Sequence, residues 1–312
     1  MRVFLAGATG ALGVPLVRAL SGAGHEVIGL TRTPTGAETL AGLGARAVRA
    51  DAMDRDDLLR AIDGLKADAV IHQMTALKKP PTKHSGMAAT NALRIDGTAN
   101  LLAAARALGA NRFITQSMVY GYGYVDHGTR QVTEQDPFGR PRGNAGDQHV
   151  AAMRSTEEQI FSADAIDGIA LRYGLFYGAG TEKLVAMLRK RQLPVTRGTS
   201  AEGWVHIEDA ASATVAALEH GRGGEAYNVV DDQPASWTEL VTEIAAAFGT
   251  PRPIALPTWV LRVVAPYVAL AMADTAMRVS NAKAKKELGW TPSILNYRDG
   301  IRVMAAEAGQ RR

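Results

Sequence analysis

The stretch Gly7-Ala8-Thr9-Gly10-Ala11-Leu12-Gly13 lies between an apolar run at residues 3–6 and a helical pattern at residues 12–20. Its spacing is G-x-x-G-x-x-G, in the strand–turn–helix context that a dinucleotide-binding loop needs. The first glycine permits a tight turn, the second lets backbone approach a pyrophosphate, and the third lets the helix pack closely on the sheet. The loop therefore predicts dinucleotide binding at the helix N-terminus, with a purely structural turn as the alternative. The predicted contacts are Gly7, Thr9, Gly10, Ala11, Leu12 and Gly13.

The end of the second predicted strand bears on the choice of dinucleotide. It reads Gly29-Leu30-Thr31-Arg32-Thr33 and contains no acid. A carboxylate there would bond the ribose 2′-hydroxyl of NAD and repel the 2′-phosphate of NADP. Arg32 is instead a planar, permanent cation that suits phosphate, so the sequence favours NADP(H), with a solvated surface arginine as the alternative. Asp51 and Ala52 follow the third predicted strand, where Asp51 is a candidate acceptor for the adenine amine or a cap for the next helix.

Strand and helix signals alternate through the first half of the chain. Strands are predicted at 26–30, 47–49, 69–72, 112–115 and 168–172, and helices at 56–62, 98–108, 151–162, 182–191, 209–219 and 237–248. This order predicts an α/β fold, a Rossmann-type doubly wound parallel sheet with a smaller C-terminal substrate lobe. We expect the dinucleotide-binding domain at 1–172, with 204–232 returning to it, and the substrate lobe at 173–203 and 233–312. Residues 120–149 are predicted to form long loops that carry function.

Composition excludes several classes of protein. The 312 residues carry a net charge of +4 and no cysteine, which excludes a disulfide scaffold, a thiol nucleophile and a cysteine zinc site. The cations are spread along the chain, so no nucleic-acid partner is expected. The seven histidines show no metal-ligand spacing, and no metal is expected. Charges interrupt the apolar segment at 254–277, so no membrane span is expected. No signal-peptide pattern opens the chain, so a cytoplasmic location is expected.

Several segments in order resemble the extended branch of the short-chain dehydrogenase/reductase superfamily, which contains nucleotide-sugar epimerases, dehydratases and related reductases. Besides the glycine loop they are Val70-Ile71-His72, Gly97-Thr98 with Asn100-Leu101-Leu102, Val119-Tyr120-Gly121, Leu171-Arg172-Tyr173-Gly174, Trp204-Val205-His206 with Asp209, and Ser280 to Lys283 with Leu288-Gly289-Trp290. The resemblance covers nearly the whole chain. It implies a Rossmann fold, a nicotinamide cofactor and the family's acid/base site.

That site departs from the family pattern. The family uses the tyrosine of Y-x-x-x-K as general acid/base, with the lysine lowering its pKa. Aligning Glu158-Gln159-Ile160 with the family's E-Q-L places Val150 and Arg154 at these two positions. A slip of one residue places His149 and Met153 there instead. Neither register restores the motif, so the chain resembles atypical members of the family.

Three residues are candidates for the missing chemistry. Ser117, at the end of the fifth strand, could donate to a developing alkoxide, or it could satisfy its own strand-end backbone. The alternating Tyr120, Tyr122 and Tyr124 could form an aromatic wall, with Tyr120 as a proton donor. His149 could replace the lost tyrosine, because imidazole titrates near neutrality, or it could be a surface group. The family's serine falls on Gln116 and its asparagine before V-x-G-T on Arg94. The remaining predicted cofactor contacts are His72, Gln73, Gln116 and Tyr173.

The sequence thus predicts an NADPH-dependent reductase of a ketone on a small, aromatic or polyketide-type molecule. Analogy with the fold suggests a homodimer as one possible arrangement. Two alternatives stay open. One is a nucleotide-sugar epimerase or dehydratase, although reversible oxidation of a sugar alcohol needs a strong base. The other is a sensor that binds NADP without catalysis, because a fold does not define a function. The apolar segment at 254–277 suits a substrate lid, or simply the core of the second lobe.

Overall fold

The computed structural model describes residues 1–77, 81–196 and 200–310. Its strands are β1 (Arg2–Ala6), β2 (Glu26–Thr31), β3 (Arg46–Arg49), β4 (Ala69–His72), β5 (Arg112–Met118), β6 (Asp126–Val132), β7 (Asp167–Tyr173), β8 (Leu175–Tyr177), β9 (Val195–Thr196), β10 (Trp204–His206), β11 (Glu225–Val229), β12 (Ala255–Leu256) and β13 (Ala276–Val279).

Helices fill most of the intervals between strands. They are α1 (Gly13–Gly22), α2 (Pro34–Gly42), α3 (Arg55–Ala61), α4 (Ala88–Ala92), α5 (Thr98–Leu108), α6 (Asp147–Phe161), α7 (Thr181–Arg189), α8 (Ile207–His220), α9 (Trp237–Ala247), α10 (Thr258–Val264), α11 (Pro266–Met272), α12 (Ala282–Leu288) and α13 (Tyr297–Gln310). A π-helical turn at Leu93–Gly97 joins α4 to α5, and 3-10 turns occupy His84–Met87 and Val119–Tyr122.

A seven-stranded parallel sheet forms the centre of the fold, in the order β11-β7-β5-β4-β1-β2-β3. The strand order reverses between β1 and β4, and ligands of such sheets bind in the crevice outside the carboxyl ends of the strands at this point. The glycine loop lies there, directly after β1. The predicted Rossmann-type α/β fold is confirmed.

Apolar residues on both faces of the sheet explain why its strands read as nearly continuous hydrophobic runs. Val3 and Leu5 of β1 pack in a core with α1 and α8 on one face. Phe4 and Ala6 pack on the opposite face with α3 and α5. The alternation of side chains along one strand therefore supports two helical layers at once.

Three two-stranded sheets lie outside the central sheet, and one of them corrects the sequence analysis. Residues 120–149 were expected to be loops, but they contain β6 and the start of α6. β6 is mostly exposed and polar, and it pairs with β13, which comes almost 150 residues later. The periodicity of a short segment does not reveal a pairing partner so far along the chain.

The apolar segment at 254–277 forms two short helices, α10 and α11, with Pro266 at the start of the second. No helix within the described ranges combines the length and apolarity needed to cross a membrane. The proposed division into two lobes stays a prediction. Residues of α12, from the segment assigned to the substrate lobe, pack in the same core as α8.

Candidate active site

The glycine loop closes tightly on itself. Gly7 has φ +90°, and a Cβ there would lie 2.6 Å from the carbonyl oxygen of Gln73. A Cβ on Gly13 would lie 2.1 Å from the carbonyl oxygen of Gly7, and the N–H of Gly10 donates to that same oxygen at 2.9 Å. Side chains at the first and third glycines would therefore displace the turn that begins α1.

The start of α1 has the donor groups that a pyrophosphate needs. The N–H groups of Ala11 and Leu12 donate to no backbone carbonyl in the ranges that the structure covers. The first turn of this ten-residue helix carries no acid that would compete with a phosphate. Unpaired N–H groups and the positive end of the helix dipole both favour an anion here. The loop therefore fits the pyrophosphate of a nicotinamide dinucleotide.

Arg32 and Asp51 lie together beyond β2 and β3. The Nη1 atom of Arg32 is 3.9 Å from Oδ2 of Asp51, and its side chain is 69% exposed. The helix cap suggested as an alternative for Asp51 is wrong, because Asp54 caps α3 by accepting from the N–H of Asp57. Asp51 keeps Oδ2 free of hydrogen bonds to the described chain, while Oδ1 accepts from Met53. The neighbouring Ala52 is buried.

His72 has a structural role at the end of β4. Its Nδ1 accepts from the N–H of Met74, and its Nε2 lies 3.2 Å from the carbonyl oxygen of Leu93. Burial lowers the pKa of His72 to about 4, so the ring is neutral at pH 7. With both nitrogens engaged, His72 fixes the π-helical turn against the sheet.

Gln73 and Tyr173 form a buried pair beside the glycine loop. Nε2 of Gln73 donates to the hydroxyl of Tyr173, which lies 2.6 Å from the hydroxyl of Thr214. Oε1 of Gln73 is buried without a partner among the described residues. An orphaned acceptor next to the dinucleotide loop is the kind of group that a bound ligand satisfies. Both residues remain candidates for cofactor contact.

Ser117 is fully buried on β5, and its Oγ has no hydrogen-bond partner in the described chain. It therefore does not satisfy its strand-end backbone, which was the structural alternative. The hydroxyl is available to a ligand only if the residues around it move. Gln116, at the position of the family's serine, is 8% exposed.

The three alternating tyrosines do not face one side. Because Val119–Tyr122 form a 3-10 turn, the period of two expected of an extended chain is lost. The rings of Tyr120 and Tyr124 stack with centroids 4.7 Å apart, whereas Tyr122 donates to Asn228 at 2.7 Å and accepts from Arg172. Burial raises the pKa of Tyr120 well above its usual value, so its phenol stays protonated.

A carboxyl group that the sequence analysis missed lies beside these rings. Glu202 is fully buried, and burial raises its pKa well above the usual range. Burial therefore favours its neutral, protonated form. Glu202 precedes β10 in a short irregular segment, and nothing in the local sequence pattern indicates that its side chain turns inward.

His149 is completely buried at the start of α6, and both of its ring nitrogens are engaged. Nδ1 lies 3.0 Å from Nδ2 of Asn91, and Nε2 lies 3.1 Å from Nδ1 of His84. The two imidazole rings stack with centroids 5.4 Å apart. Burial, and then the charge of His84, lower the pKa of His149 to about 4. His149 is thus a neutral link in a chain of polar groups, not a surface histidine.

The two registers considered for the acid/base pair lie on neighbouring faces of α6, and Val150 of the first register is buried as well. His149, Met153 and Glu157 recur at every fourth residue and are all buried on one face. Glu157 accepts from Arg172 of β7 at 2.7 Å, which fixes this face against the sheet. Arg154 lies on another face and donates to the carbonyl oxygen of Gly139. The helix therefore directs His149 and Met153 inward.

His84 connects this buried cluster to open space. It is only partly buried and lines a cavity of about 210 Å³ with Asn144, Gly146, Pro266 and Leu270. A second cavity of about 290 Å³ shares Asn144 and Gly146 and extends along Tyr124 and Val150. Within the described chain, no group of three or more histidine, aspartate or glutamate side chains could hold a metal ion.

The fold and the glycine loop define a class of dinucleotide-binding α/β proteins. The chain belongs to the NAD dependent epimerase/dehydratase family, whose model matches residues 3–230. It is 34% identical to a 3-diazoavenalumate denitrifying reductase of a Streptomyces species, over 96% of this chain and 99% of that protein. It is 28% identical to a 2-alkyl-3-oxoalkanoate reductase of Stenotrophomonas maltophilia, over 81% of this chain and 77% of that protein.

Two solved structures show the same fold. A UDP-glucose 4-epimerase from Thermotoga maritima superposes with a TM-score of 0.78 at 20% identity, covering 100% of this chain and 99% of that chain. A dTDP-glucose 4,6-dehydratase from Streptomyces venezuelae, with NAD bound, gives 0.79 at 22% identity, covering 100% of this chain and 98% of that chain. The named relatives support a reductase in this family that uses a nicotinamide cofactor.

Proposed function

We propose that the protein is an NADPH-dependent reductase of a carbonyl group on a small aromatic or polyketide-type molecule. The observation that carries the proposal is the chain Asn91–His149–His84, which leads from the start of α6 to a cavity. It includes His149, one of the two residues that the sequence offers for the family's tyrosine position. The 2-alkyl-3-oxoalkanoate reductase and a ketoreductase of Stigmatella aurantiaca, 27% identical, support carbonyl reduction.

The bound coenzyme would supply a hydride to the substrate carbon. The glycine loop would hold its pyrophosphate, and Arg32 would pair with the 2′-phosphate of NADP(H). Asp51, through its free Oδ2, would accept from the adenine amine, with Ala52 beside it. His72, Gln73, Gln116 and Tyr173 line the crevice in this account, and Gln73 would use its orphaned Oε1.

Carbonyl reduction also needs a proton at the oxygen. His84 faces the cavity, and burial lowers its pKa, so its protonated form is a stronger acid than a free imidazolium. His149 positions His84 and adapts to either tautomer, because the amide of Asn91 can donate to Nδ1 or, turned over, accept from it. Ser117 would donate its hydroxyl hydrogen to the developing oxyanion once the substrate displaces its surroundings. Tyr120, which is buried and protonated, would form part of the wall of the substrate site.

Reduction of a diazo group is a second candidate, favoured by the relative at 34% identity. Replacing dinitrogen of an aryldiazonium ion by hydride gives the arene and N₂ and takes up no proton. A site without the strong tyrosine–lysine acid is sufficient for this reaction. An epimerase or dehydratase is less well supported, since a histidine whose pKa is about 4 is a weak base for oxidising a sugar alcohol.

Substrate-dependent oxidation of NADPH tests the proposal. The panel would contain aryl ketones, a 2-alkyl-3-oxo acid, an aryldiazonium carboxylate and UDP-glucose, with proton uptake and evolved gas recorded. We expect one proton consumed for each NADPH oxidised with a ketone or oxo acid. N₂ release without proton uptake would assign the diazo reaction instead. Tight NADPH binding with no oxidation by any compound would favour the sensor, and isomerisation of UDP-glucose would favour the epimerase.

A further inference from the structure

Arg94 is an arginine that is buried without a carboxylate partner. It lies in the π-helical turn between α4 and α5 and is 4% exposed. No carboxylate of the described residues forms an ion pair with it, and burial lowers the pKa of its guanidinium. A buried unpaired charge is costly, and such a group is retained where a ligand supplies the opposite charge.

The backbone around Arg94 is held at several points. Its carbonyl oxygen lies 2.6 Å from the hydroxyl oxygens of both Thr98 and Thr156. The preceding carbonyl, of Leu93, is bonded by His72. π-Helical turns are rare and are frequently found at functional sites. These contacts fix the base of a long side chain that makes no hydrogen bond of its own.

Aromatic side chains lie within electrostatic range of the guanidinium. Its charge acts on the phenols of Tyr124 and Tyr267 and on the imidazole of His149. Tyr267 stands edge-on to His149, with ring centroids 5.2 Å apart. Asn91, which contacts His149, precedes Arg94 by three residues and so lies on the same side of the helical run. Arg94 is therefore directed towards the start of α6, where the reaction is proposed to occur.

The guanidinium of Arg94 has no hydrogen-bond partner among the described residues. None of its side-chain nitrogens is a fully enclosed atom that lacks a hydrogen-bond partner in the described chain. They make no hydrogen bond to the described residues, which leaves these donors for a ligand. A planar guanidinium near aromatic rings suits a planar anion with an unsaturated or aromatic body.

We propose that Arg94 binds the carboxylate of the substrate, so that the protein reduces a free acid rather than a nucleotide-linked sugar. The inference rests on the proposed function, because it takes the bound acid to be the substrate. What it claims is binding alone. One cation matches one carboxylate, whereas a nucleoside diphosphate would bring further charges to the same group. Two named relatives have carboxylates as the substrates in their names, which agrees with this assignment.

Calorimetry with cinnamate and its neutral amide, cinnamamide, tests the assignment in the presence of saturating NADP. We expect the wild type to bind cinnamate at least about tenfold more tightly than the amide, as a charge-assisted bond implies. Arg94→Met should remove that preference and leave the affinity for NADP within about threefold. Arg106→Met, an exposed arginine on α5, is the matched control and should behave as the wild type.

Thermal unfolding without ligand separates binding from folding. Replacing an unpaired buried charge by methionine should leave the Tm unchanged or raise it. A lowered Tm together with an unchanged preference for cinnamate would show that Arg94 is structural and would overturn the proposal. If Arg94→Met lost affinity for NADP but kept the preference for cinnamate, Arg94 would be assigned to the cofactor and the proposal would be wrong. Equal binding of cinnamate and cinnamamide by the wild type would also contradict it. None of these results depends on turnover, so a failure of the proposed reductase activity is distinguished from a failure here.

Discussion

Nε2 of His149 lies 3.1 Å from Nδ1 of His84, although the two residues are 65 positions apart in the chain. The first is completely buried at the start of α6, and the second borders a cavity. The contact therefore connects a buried histidine of α6 with the cavity that His84 lines. With Nδ1 facing Asn91, it leaves no free nitrogen on His149, and our proposal therefore gives the role of proton donor to His84.

Replacing His84 by asparagine is expected to lower kcat by about 100-fold, because a positioned general acid contributes roughly 10²- to 10⁴-fold. Burial lowers the pKa of His84 below its usual 6.5. The protonated donor is lost as pH rises through that pKa, so the kcat of the wild type should fall with rising pH. The profile of the variant should lack this slope. His220→Asn, at an exposed histidine, is the control, and an unchanged profile in His84→Asn would remove His84 from the mechanism.

The buried His72 makes the fold sensitive to acid. Its pKa of about 4 is depressed from the value near 6.5 of an unfolded chain. Between these two values the unfolded state binds more protons. The stabilisation is fully present above pH 6.5 and is lost as pH falls towards 4, at about 1.4 kcal/mol per pH unit for one such group. His149 adds a loss of the same direction.

Urea denaturation across this pH range measures the effect. His72→Gln should reduce the dependence of the unfolding free energy on pH, whereas the exposed control His220→Gln should retain it. A wild-type protein as stable at pH 4.5 as at pH 7, by this assay, would show that neither buried histidine titrates as described.

Arg32 determines the choice of coenzyme in this account. Arg32→Ala should weaken NADPH binding about 10- to 100-fold, since a charge-assisted hydrogen bond is worth roughly 1.5–3 kcal/mol. NADH, which has no 2′-phosphate, should bind the variant and the wild type equally. Titration calorimetry with both nucleotides makes the comparison, and Arg60→Ala, at an exposed arginine of α3, is the control. Tighter binding of NADH than of NADPH by the wild type would contradict the role of Arg32.

Two glycines of α1 provide a matched pair. A methyl group on Gly13 meets the carbonyl oxygen of Gly7 at 2.1 Å, whereas one on Gly22 meets nothing within 4 Å. Gly13→Ala should therefore destabilise the protein by about 2 kcal/mol or more and reduce dinucleotide affinity. Gly22→Ala should be neutral or stabilise by up to about 1 kcal/mol. Equal dinucleotide affinities of the two variants would show that the loop geometry is not needed for binding.

Elements with strong local signals could be predicted from the sequence. The helix predicted at 98–108 has those bounds in the structure, and the glycine loop lies between strand and helix as expected. These elements are specified by helical period and by glycines at fixed offsets, which are properties of a few consecutive residues. The family resemblance is confirmed by the family model that matches residues 3–230. It could be recognised from the sequence because its motifs are short and keep their order along the chain.

The candidate site could be predicted only in part. His149 was a candidate for the lost tyrosine, but its partners Asn91 and His84 come from a separate segment before α5. Glu202 and Arg94 turn inward from an irregular segment and from a π-helical turn, neither of which has a periodic signature. Side-chain direction in such segments depends on distant packing, which one sequence without its fold does not reveal.

The fate of the hydride tests the central claim most directly. NADPH carrying deuterium at the reactive nicotinamide carbon would be incubated with the protein and with each ketone and oxo acid of the panel. The account predicts one deuterium in the reduced product for each coenzyme oxidised, with NADP accumulating in equal amount. Retention of the deuterium in the coenzyme, with no reduced product from any compound of the panel, would contradict it.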